Sequence, residues 1–289
     1  MTRINEAFPY PLATTEYLAA ELGAADLKII DGSWRMPGNP PAIEDHRRAR
    51  IPGAIFFDLD AIADKSTALP HMLPPADEFA SKIGALGVSD TDRVIVYDDA
   101  GIFSAARVWW TFRAMGHDRV SVLDGGLPKW RREGRALDAG AASPAPARYR
   151  VGATRPIARS ADEVRAFLNT KAGVVLDARP APRFSGETKE PRPGLRSGHM
   201  PGAINLPHSM LLTAEGELRP FNELAALFRA RGVHAESEVI ATCGSGVTAA
   251  VLALALERLG HSAHAVYDGS WTEWGDQSND PALFPVVAG

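Results

Sequence analysis

Residues 93–130 read RVIVYDDAGIFSAARVWWTFRAMGHDRVSVLDGGLPKW, and residues 238–274 read EVIATCGSGVTAAVLALALERLGHSAHAVYDGSWTEW. Both stretches pass through an apolar strand, a special loop, an apolar helix, a Gly-His pair, a second apolar strand, an Asp-Gly pair and a final tryptophan. A long-period repeat of this kind means that one structural unit occurs twice. The sequence therefore predicts two copies of the same domain.

The spacing between the copies places their loops in register. Thr242 lies 145 positions after Tyr97, just before the loops, and Asp268 lies 144 positions after Asp124, beyond them. The loop of the first copy is therefore one residue longer. Upstream segments also correspond, since KIIDGSW from position 28 matches VVLDARP from 174, and RIPGAIFF from 50 matches HMPGAINL from 199.

Each half alternates short apolar runs with helical stretches, which predicts an α/β fold in which a mainly parallel sheet is flanked by helices. Residues 139–159 are rich in Ala, Pro and Gly without periodicity, which is typical of a linker. Ser160 and Glu163 then fit a capping box at the start of a helix. We therefore expect a first domain at 1–138, a linker at 139–159 and a second domain at 160–289.

Composition limits the classes of function. A net charge of -4 argues against a nucleic-acid-binding protein, and no stretch reaches the roughly 18 apolar residues that span a bilayer. Residues 1–17 lack the apolar run of a signal peptide, so we expect a cytoplasmic protein that does not associate with membranes. The single cysteine excludes an internal disulfide framework and a multi-cysteine metal site, and neither a metal nor an organic cofactor is implied.

The loop at Cys243 is the strongest candidate for chemistry. It follows the predicted buried strand at 238–242 and precedes an apolar helix, so it lies at the carboxyl edge of the sheet, where open α/β sheets bind ligands. Gly244 and Gly246 permit backbone angles that let successive N–H groups turn towards the sulfur. These N–H groups and the helix N-terminus favour the thiolate, which is the nucleophilic form.

Two other interpretations of this cysteine are weighed against that one. A lone cysteine is often a small buried hydrophobic residue, although glycines on both sides of Ser245 would weaken a purely structural turn. A cysteine phosphatase also places its nucleophile between a strand and a helix. That chemistry needs an arginine six residues after the cysteine, where this chain has Ala249.

With these motifs, the chain resembles the tandem rhodanese-domain sulfurtransferases over nearly its whole length. The resemblance rests on HMPGAINLP from His199, on YDGSWTEW from Tyr267 and above all on CGSGVT, Cys243 to Thr248. This uncharged loop is similar to that of the mercaptopyruvate-type members, whereas thiosulfate-preferring members carry basic residues after the cysteine. The resemblance implies an active second domain and an inactive first domain, in which Asp98 stands at the position of Cys243.

The resemblance also implies which residues bind the substrate. The two substrate-binding arginines of the family fall on Arg183 and Arg192, and the loop residues Gly244, Gly246, Val247 and Thr248 line the same site. An arginine can hold the carboxylate and carbonyl of a keto acid with charge-assisted hydrogen bonds. Arg179 and Arg196 are weaker candidates, and solvated surface arginines are the alternative for all four.

Ser245 matches a loop serine that is proposed, in the family, to act with an aspartate and a histidine at Asp60 and His71. A simpler role for the serine is to donate a hydrogen bond to bound sulfur or to an enolate oxygen. Both possibilities stay open at this point. His199 is expected to be structural, and Trp274 to pack in the core, because Trp130 occupies its place in the first copy.

The implied activity is transfer of sulfur from 3-mercaptopyruvate, through a Cys243 persulfide, to a thiol or cyanide acceptor, with release of pyruvate. A thioredoxin-like protein is a further possible acceptor, since the chain has no second cysteine to resolve the persulfide. Two rivals are kept. One is a thiosulfate:cyanide sulfurtransferase, and the other is a non-catalytic persulfide carrier or interaction module.

Overall fold

The structure, a computed structural model, describes residues 8–141, 144–171 and 173–289. Contacts within the chain group it into two compact units. Unit 1 contains the described residues of Met1–Asp64, Pro74–Arg155 and Leu212–Leu218. Unit 2 contains those of Lys65–Leu73, Pro156–Leu211 and Arg219–Gly289.

The described part of unit 1 contains a five-stranded sheet in the order β1-β5-β4-β2-β3, and its paired strands are parallel. In chain order the elements are β1 (Leu12–Ala13), α1 (Thr15–Glu21), β2 (Leu27–Asp31), α2 (Ala42–Arg48), β3 (Ile55–Phe56), α3 (Leu59–Ile62), α4 (Ala76–Ala85), β4 (Arg93–Tyr97), α5 (Ala105–Ala114), β5 (Val120–Leu123) and α6 (Gly126–Arg132).

The described part of unit 2 repeats this architecture, with parallel strands in the order β6-β10-β9-β7-β8. Its elements are β6 (Ala158–Arg159), α7 (Ala161–Thr170), β7 (Gly173–Asp177), α8 (Ala181–Phe184), β8 (Ile204–Asn205), a 3₁₀ helix (His208–Leu211), α9 (Phe221–Arg229), β9 (Glu238–Thr242), α10 (Ala249–Arg258), β10 (His264–Tyr267) and α11 (Ser270–Trp274). The predicted fold class, two α/β domains with parallel sheets and flanking helices, is confirmed.

The central strands and the helix after each loop are buried, which explains their continuous apolar sequences. Residues 94–97 of β4 and 239–242 of β9 are buried, as is all of α5, and α10 is buried from Ala249 to Leu256. Parallel strands covered on both faces read as apolar runs without alternation. The capping box predicted at Ser160 is present, because its side chain accepts from the Glu163 N–H while the Glu163 carboxylate accepts from the Ser160 N–H.

Much of the segment that composition assigns to a linker packs along unit 1. The N–H of Ala147 donates to the Gly84 carbonyl at 2.8 Å, and the N–H of Arg155 donates to the Ala114 carbonyl at 2.9 Å. Residues 142 and 143 of the predicted linker lie outside the described residues. The limits 1–138, 139–159 and 160–289 stay a prediction, and the contacts add a feature that the sequence did not suggest.

That feature is a pair of turns that each belong to the unit of the opposite half. Turn A, Lys65–Leu73, comes from the first half and belongs to unit 2, while turn B, Leu212–Leu218, comes from the second half and belongs to unit 1. Leu73 N donates to Asp268 at 2.7 Å, and Leu218 N donates to Asp124 at 2.8 Å. Since these leucines and aspartates are equivalent in the repeat, both turns dock in the same way.

In the part of the chain that the structure describes, no helix combines the length and apolar character needed to cross a membrane.

Candidate active site

The predicted catalytic loop, Cys243–Thr248, connects β9 to α10 in unit 2. Cys243 is 1% exposed. Its carbonyl accepts from the N–H of Trp271 at 2.9 Å, and its own N–H donates to Ser270 Oγ at 3.3 Å. The start of α11 therefore holds the backbone on either side of the sulfur in place.

The two glycines of the loop serve different physical needs. Gly246 has φ of +77°, in the left-handed region that favours glycine. Gly244 does not have a positive φ; instead, a Cβ added there would lie 3.1 Å from Nη2 of Arg183. The expectation that both glycines supply special backbone angles is therefore wrong for Gly244, whose missing side chain makes room for an arginine.

Val247 and Thr248 complete the loop just before α10. Val247 is buried and Thr248 is half-buried in the N-cap position of the helix. Their contact with substrate stays a prediction, as does that of Gly246.

Ser245 and His71 lie together in unit 2, although they are 174 positions apart in sequence. The His71 Nδ1 atom is 3.1 Å from Ser245 Oγ and 3.3 Å from the Ser245 carbonyl oxygen, and both side chains are buried. His71 has φ of +63°, which is uncommon for a residue other than glycine. Turn A thus delivers a buried imidazole to the cysteine loop in a strained backbone conformation of the kind found at functional sites.

Asp60, the third member of the predicted relay, belongs to unit 1. It lies in α3, and its Oδ2 accepts a hydrogen bond from the indole Nε1 of Trp34 at 2.9 Å. Both residues line a cavity of about 280 Å³ in unit 1. Its part in a relay with His71 and Ser245 stays a prediction.

Arg183, predicted to bind substrate, projects from α8 towards the loop and is 22% exposed at its side chain. Its guanidinium pairs with the carboxylate of Glu190 through Nε at 3.2 Å and through Nη2. The Glu190 carboxylate is buried and also accepts from Arg179 Nη1 at 2.8 Å. The structure therefore places one of the two predicted arginines at the loop, together with a glutamate that no sequence motif indicates.

Arg179, a weaker candidate for substrate binding, has a buried side chain. It is 1% exposed, pairs with Asp177, and lies with its guanidinium carbon 4.1 Å from the ring centroid of Trp271. A guanidinium enclosed in this way stabilises the fold around it. The Asp177-x-Arg179 spacing, directly after a buried strand, was the sequence signal for this pair.

The other arginines of this region have different surroundings. Arg192 is half-buried in the turn that follows Glu190. Arg196 donates to the carbonyls of Trp274 and Gly275, so its guanidinium caps the C-terminal end of α11. A role in substrate binding stays a prediction for Arg192, whereas the contacts of Arg196 are those of a structural residue.

His199 and Trp274 have structural surroundings. The imidazole of His199 stacks on Phe184 with ring centroids 3.8 Å apart, and its Nδ1 lies 2.9 Å from the Phe184 carbonyl oxygen. Trp274 and Trp130 are both buried, and each indole donates to a backbone carbonyl.

The loop of unit 1 shows what the shared backbone is suited to hold. Asp98, at the position of Cys243, is fully buried, and its carboxylate accepts from the N–H groups of Ala100, Phe103 and Ala105 at 2.7 to 2.9 Å. Burial raises the pKa of Asp98, while the three N–H bonds act in the opposite direction. The strand–loop–helix turn thus converges its N–H groups on one acidic side chain, as an anion-binding nest does.

Fold and site together define a protein of two parallel α/β domains, of which the second presents a buried cysteine in a glycine-containing loop. A family model described as Rhodanese-like domain matches residues 14–133 and 160–277. The chain belongs to the family of proteins with rhodanese-like domains, and it contains two copies of the domain.

Similar proteins carry two related names. The chain is 43% identical to "Thiosulfate/3-mercaptopyruvate sulfurtransferase 2" of Arabidopsis thaliana, over 94% of this chain and 86% of that protein. It is 40% identical to the 3-mercaptopyruvate sulfurtransferase of Escherichia coli (strain K12), over 92% of this chain and 95% of that protein. A crystal structure of an Escherichia coli 3-mercaptopyruvate sulfotransferase has a TM-score of 0.82 and 38% identity, with 90% of this chain and 98% of that chain covered.

Proposed function

We propose that this protein is a 3-mercaptopyruvate sulfurtransferase, in which Cys243 carries sulfur as a persulfide between a keto-acid donor and a thiol or cyanide acceptor. The observation that supports it most directly is the approach of Arg183 to an otherwise uncharged cysteine loop, within 3.1 Å of a Cβ position at Gly244. A guanidinium beside the nucleophile suits a donor that has a carboxylate next to its reacting sulfur. The name of the similar Escherichia coli protein supports the same donor.

In the first half-reaction the Cys243 thiolate attacks the sulfur of 3-mercaptopyruvate. An S–S bond forms and the substrate C–S bond breaks, with its electron pair passing to the carbon that becomes the enolate of pyruvate. The proton of the substrate thiol is transferred to that carbon, so that pyruvate leaves and a persulfide anion stays on Cys243. Covalent catalysis of this kind divides one difficult transfer into two easier ones.

In the second half-reaction the acceptor removes the outer sulfur. Cyanide attacks that atom, the S–S bond breaks, its electron pair returns to Cys243 as thiolate, and thiocyanate leaves. A small thiolate acts in the same way and leaves as a persulfide, and we propose a thioredoxin-like protein as a further acceptor. No second cysteine is needed, because the acceptor comes from outside the chain.

The backbone of the loop stabilises the charge on sulfur in this proposal. Phe103 and Ala105 donate to Asp98 in unit 1, and their counterparts, counted from the first residue of the following helix, are Val247 and Ala249. We propose that the N–H groups of Val247 and Ala249 donate to the persulfide anion. Such donors stabilise developing charge without a change in their own positions.

Ser245 and His71 stabilise the negative charge on the enolate oxygen in this scheme. With the proton on Nδ1, His71 donates to Ser245 Oγ over 3.1 Å, which leaves the serine hydroxyl proton free to point towards the substrate. The serine then donates to the carbonyl oxygen as its negative charge develops. This is the simpler of the two roles that the sequence left open for Ser245, and His71 orients the hydroxyl.

A second candidate function is transfer from thiosulfate to cyanide, because one similar protein has both donors in its name. Thiosulfate carries no keto-acid carboxylate, so the position of Arg183 does not single it out. A third, the non-catalytic persulfide carrier, predicts a reactive Cys243 without turnover.

We also propose that the protein works in the cytoplasm, where a reducing environment keeps its lone cysteine available. Fractionation of the source cells checks this, and recovery of the protein in an oxidising compartment would contradict it.

The test of the proposed function compares pyruvate release from 3-mercaptopyruvate with thiocyanate formation from thiosulfate, each with cyanide as acceptor and with Cys243→Ser as control. We expect kcat/KM for 3-mercaptopyruvate to exceed that for thiosulfate by about tenfold or more. A preference for thiosulfate would favour the second candidate. Alkylation of Cys243 without turnover of either donor would favour the carrier.

A further inference from the structure

We propose that Glu190 is a positioning residue that aims Arg183 at the cysteine loop, and that Gly244 provides the space into which Arg183 is aimed. The proposal rests on the proposed function only for the identity of the donor. It concerns a contact between a buried carboxylate and a half-buried guanidinium, which is present in unit 2 before any substrate binds.

Glu190 bridges two arginines of different burial. One carboxylate oxygen accepts from Arg179 Nη1 at 2.8 Å and from Arg183 Nε at 3.2 Å, and the other accepts from Arg183 Nη2. The side chain of Glu190 is 2% exposed, compared with 22% for Arg183. The buried carboxylate therefore restricts the more exposed guanidinium, and a two-point contact sets the plane of that guanidinium.

The other end of the bridge is anchored to the loop itself. Arg179 stacks on Trp271 and donates to the Gly198 carbonyl at 2.9 Å. Trp271 in turn donates its backbone N–H to the carbonyl of Cys243 at 2.9 Å. Arg183 is thus connected, through Glu190 and Arg179, to Trp271, which also holds the backbone of Cys243.

Charge balance explains why the bridge leaves Arg183 able to bind an anion. Asp177, Arg179, Glu190 and Arg183 form a set with two negative and two positive side chains. Of the five N–H donors of Arg183, Glu190 uses one on Nε and one on Nη2. The three that are left, on Nη1 and Nη2, form the edge that meets a substrate carboxylate.

Gly244 is the specificity-determining partner of this arrangement. Because an added Cβ would lie 3.1 Å from Arg183 Nη2, the guanidinium would have to give way by a few tenths of an ångström for an alanine, and by more for a larger side chain. A larger residue directly after the cysteine would therefore displace Arg183 from the loop. The absence of a side chain at this position selects for donors that need the arginine.

Unit 1 has a different residue at the anchoring position. Asp31 corresponds to Asp177, and each accepts from the backbone N–H two residues later, at 3.0 Å from Ser33 and 2.9 Å from Arg179. Where unit 2 has the arginine, unit 1 has a serine whose hydroxyl donates to Asp31. The arginine that anchors the bridge therefore stands in the copy that has the cysteine.

The first measurement is the steady-state kinetics of Glu190→Gln with 3-mercaptopyruvate, beside the exposed Glu187→Gln as a control of equal charge change in the same segment. We expect KM to rise about tenfold with kcat within about threefold, because the aimed arginine binds the carboxylate in ground state and transition state alike. Glu190→Asp should show the same rise, since a carboxylate shorter by one methylene cannot reach both arginines. Glu187→Gln should match the unsubstituted protein.

The second measurement needs no turnover, so it separates this inference from the proposed function. Cys243 is alkylated with iodoacetate, which is an anion, and with neutral iodoacetamide, and the ratio of the two rates is compared between variants. Gly244→Val and Glu190→Asp preserve all charges but displace Arg183, so we expect the ratio to fall about threefold or more. The alkylation ratio also tests the inference if Glu190→Gln does not fold.

Three outcomes would overturn the inference. They are an unchanged or lower KM in Glu190→Gln, full activity of Glu190→Asp, and an unchanged alkylation ratio in Gly244→Val. A lower KM would mean that Glu190 competes with the substrate for Arg183. If the unsubstituted protein does not turn over 3-mercaptopyruvate, the proposed function fails, and the alkylation ratio still decides whether Glu190 and Gly244 position Arg183.

Discussion

The loops after β4 and β9 have a common origin in the repeat and opposite uses. In unit 1 the N–H groups of the loop are bonded to Asp98, a carboxyl group supplied by the chain. In unit 2 the same position holds Cys243, which gains and loses a sulfur atom in the proposed cycle. The anion-binding backbone therefore persists in the domain without the cysteine, because a buried carboxyl group satisfies the donors that a sulfur anion would otherwise meet.

The two turns that contact these loops also differ in their side chains. His71 of turn A and Gly216 of turn B are equivalent, being 145 positions apart, and both have positive φ, +63° and +81°. His71 faces Ser245, whereas a Cβ on Gly216 would lie 3.2 Å from the Ala100 carbonyl oxygen. A histidine–serine pair in unit 2 thus corresponds to a glycine–alanine pair in unit 1.

The largest effect is expected at the nucleophile. Cys243→Ser should lower sulfur transfer by about a thousandfold or more, because an alkoxide is not accessible at neutral pH and oxygen cannot carry the persulfide. Thermal unfolding should change little, since the hydroxyl is close to the thiol in size. Donor turnover and mass spectrometry of the donor-treated protein check this, and a sulfur adduct on the variant would contradict the mechanism.

The matching substitution in unit 1 should affect folding instead. Asp98→Ala leaves three N–H groups without their buried acceptor, so we expect a loss of about 3 kcal/mol in the free energy of unfolding. Denaturant titration measures this loss, and Asp98→Asn, which keeps an acceptor oxygen, should lose less. If Asp98→Ala were as stable as Cys243→Ala, the idea that the carboxylate fills an anion nest would be wrong.

A smaller effect on activity is expected in turn A. His71→Asn should lower kcat roughly tenfold to a hundredfold, because Ser245 loses the group that orients its hydroxyl. Asparagine tolerates positive φ, so the turn itself should persist. The kcat for 3-mercaptopyruvate and the melting temperature are measured together, and an unchanged kcat would assign His71 to structure alone.

The smallest effect is expected at the equivalent position in turn B. Gly216→Ala places a Cβ on a residue with φ of +81°, which should destabilise the protein by about 1 kcal/mol and leave kcat unchanged. Denaturant titration and steady-state kinetics distinguish the two. If Gly216→Ala lost much of its activity while it stayed folded, turn B would also contribute to catalysis, and the proposed difference between the two turns would be wrong.

Part of the site was accessible from the sequence because it is local. Cys243, Ser245 and the glycines follow one buried strand and precede one buried helix, so their place at the edge of the sheet follows from the order of elements along the chain. The capping box at Ser160 is likewise a matter of four consecutive residues. The resemblance to a family added Arg183 and His71, which no local pattern would have indicated.

Other parts of the site depend on contacts between distant segments. No motif in the sequence marks Glu190, which lies in a Pro-rich stretch. The fold buries its carboxylate between two arginines. The role of Gly244 was misjudged for the same reason, because a glycine beside a glycine-containing turn suggests a backbone requirement. The neighbour that needs the space, Arg183, lies 61 positions earlier.

The duplication, the parallel α/β class and the loop that holds the nucleophile follow from the sequence, because periodicity, strand–helix alternation and glycine placement act over short stretches of chain. Only the folded chain shows that the unit of each half takes in a turn from the other, that His71 lies against Ser245, and that Glu190 directs Arg183. These features arise when burial brings charged and polar groups together and forces them to satisfy one another, which no short stretch of sequence records.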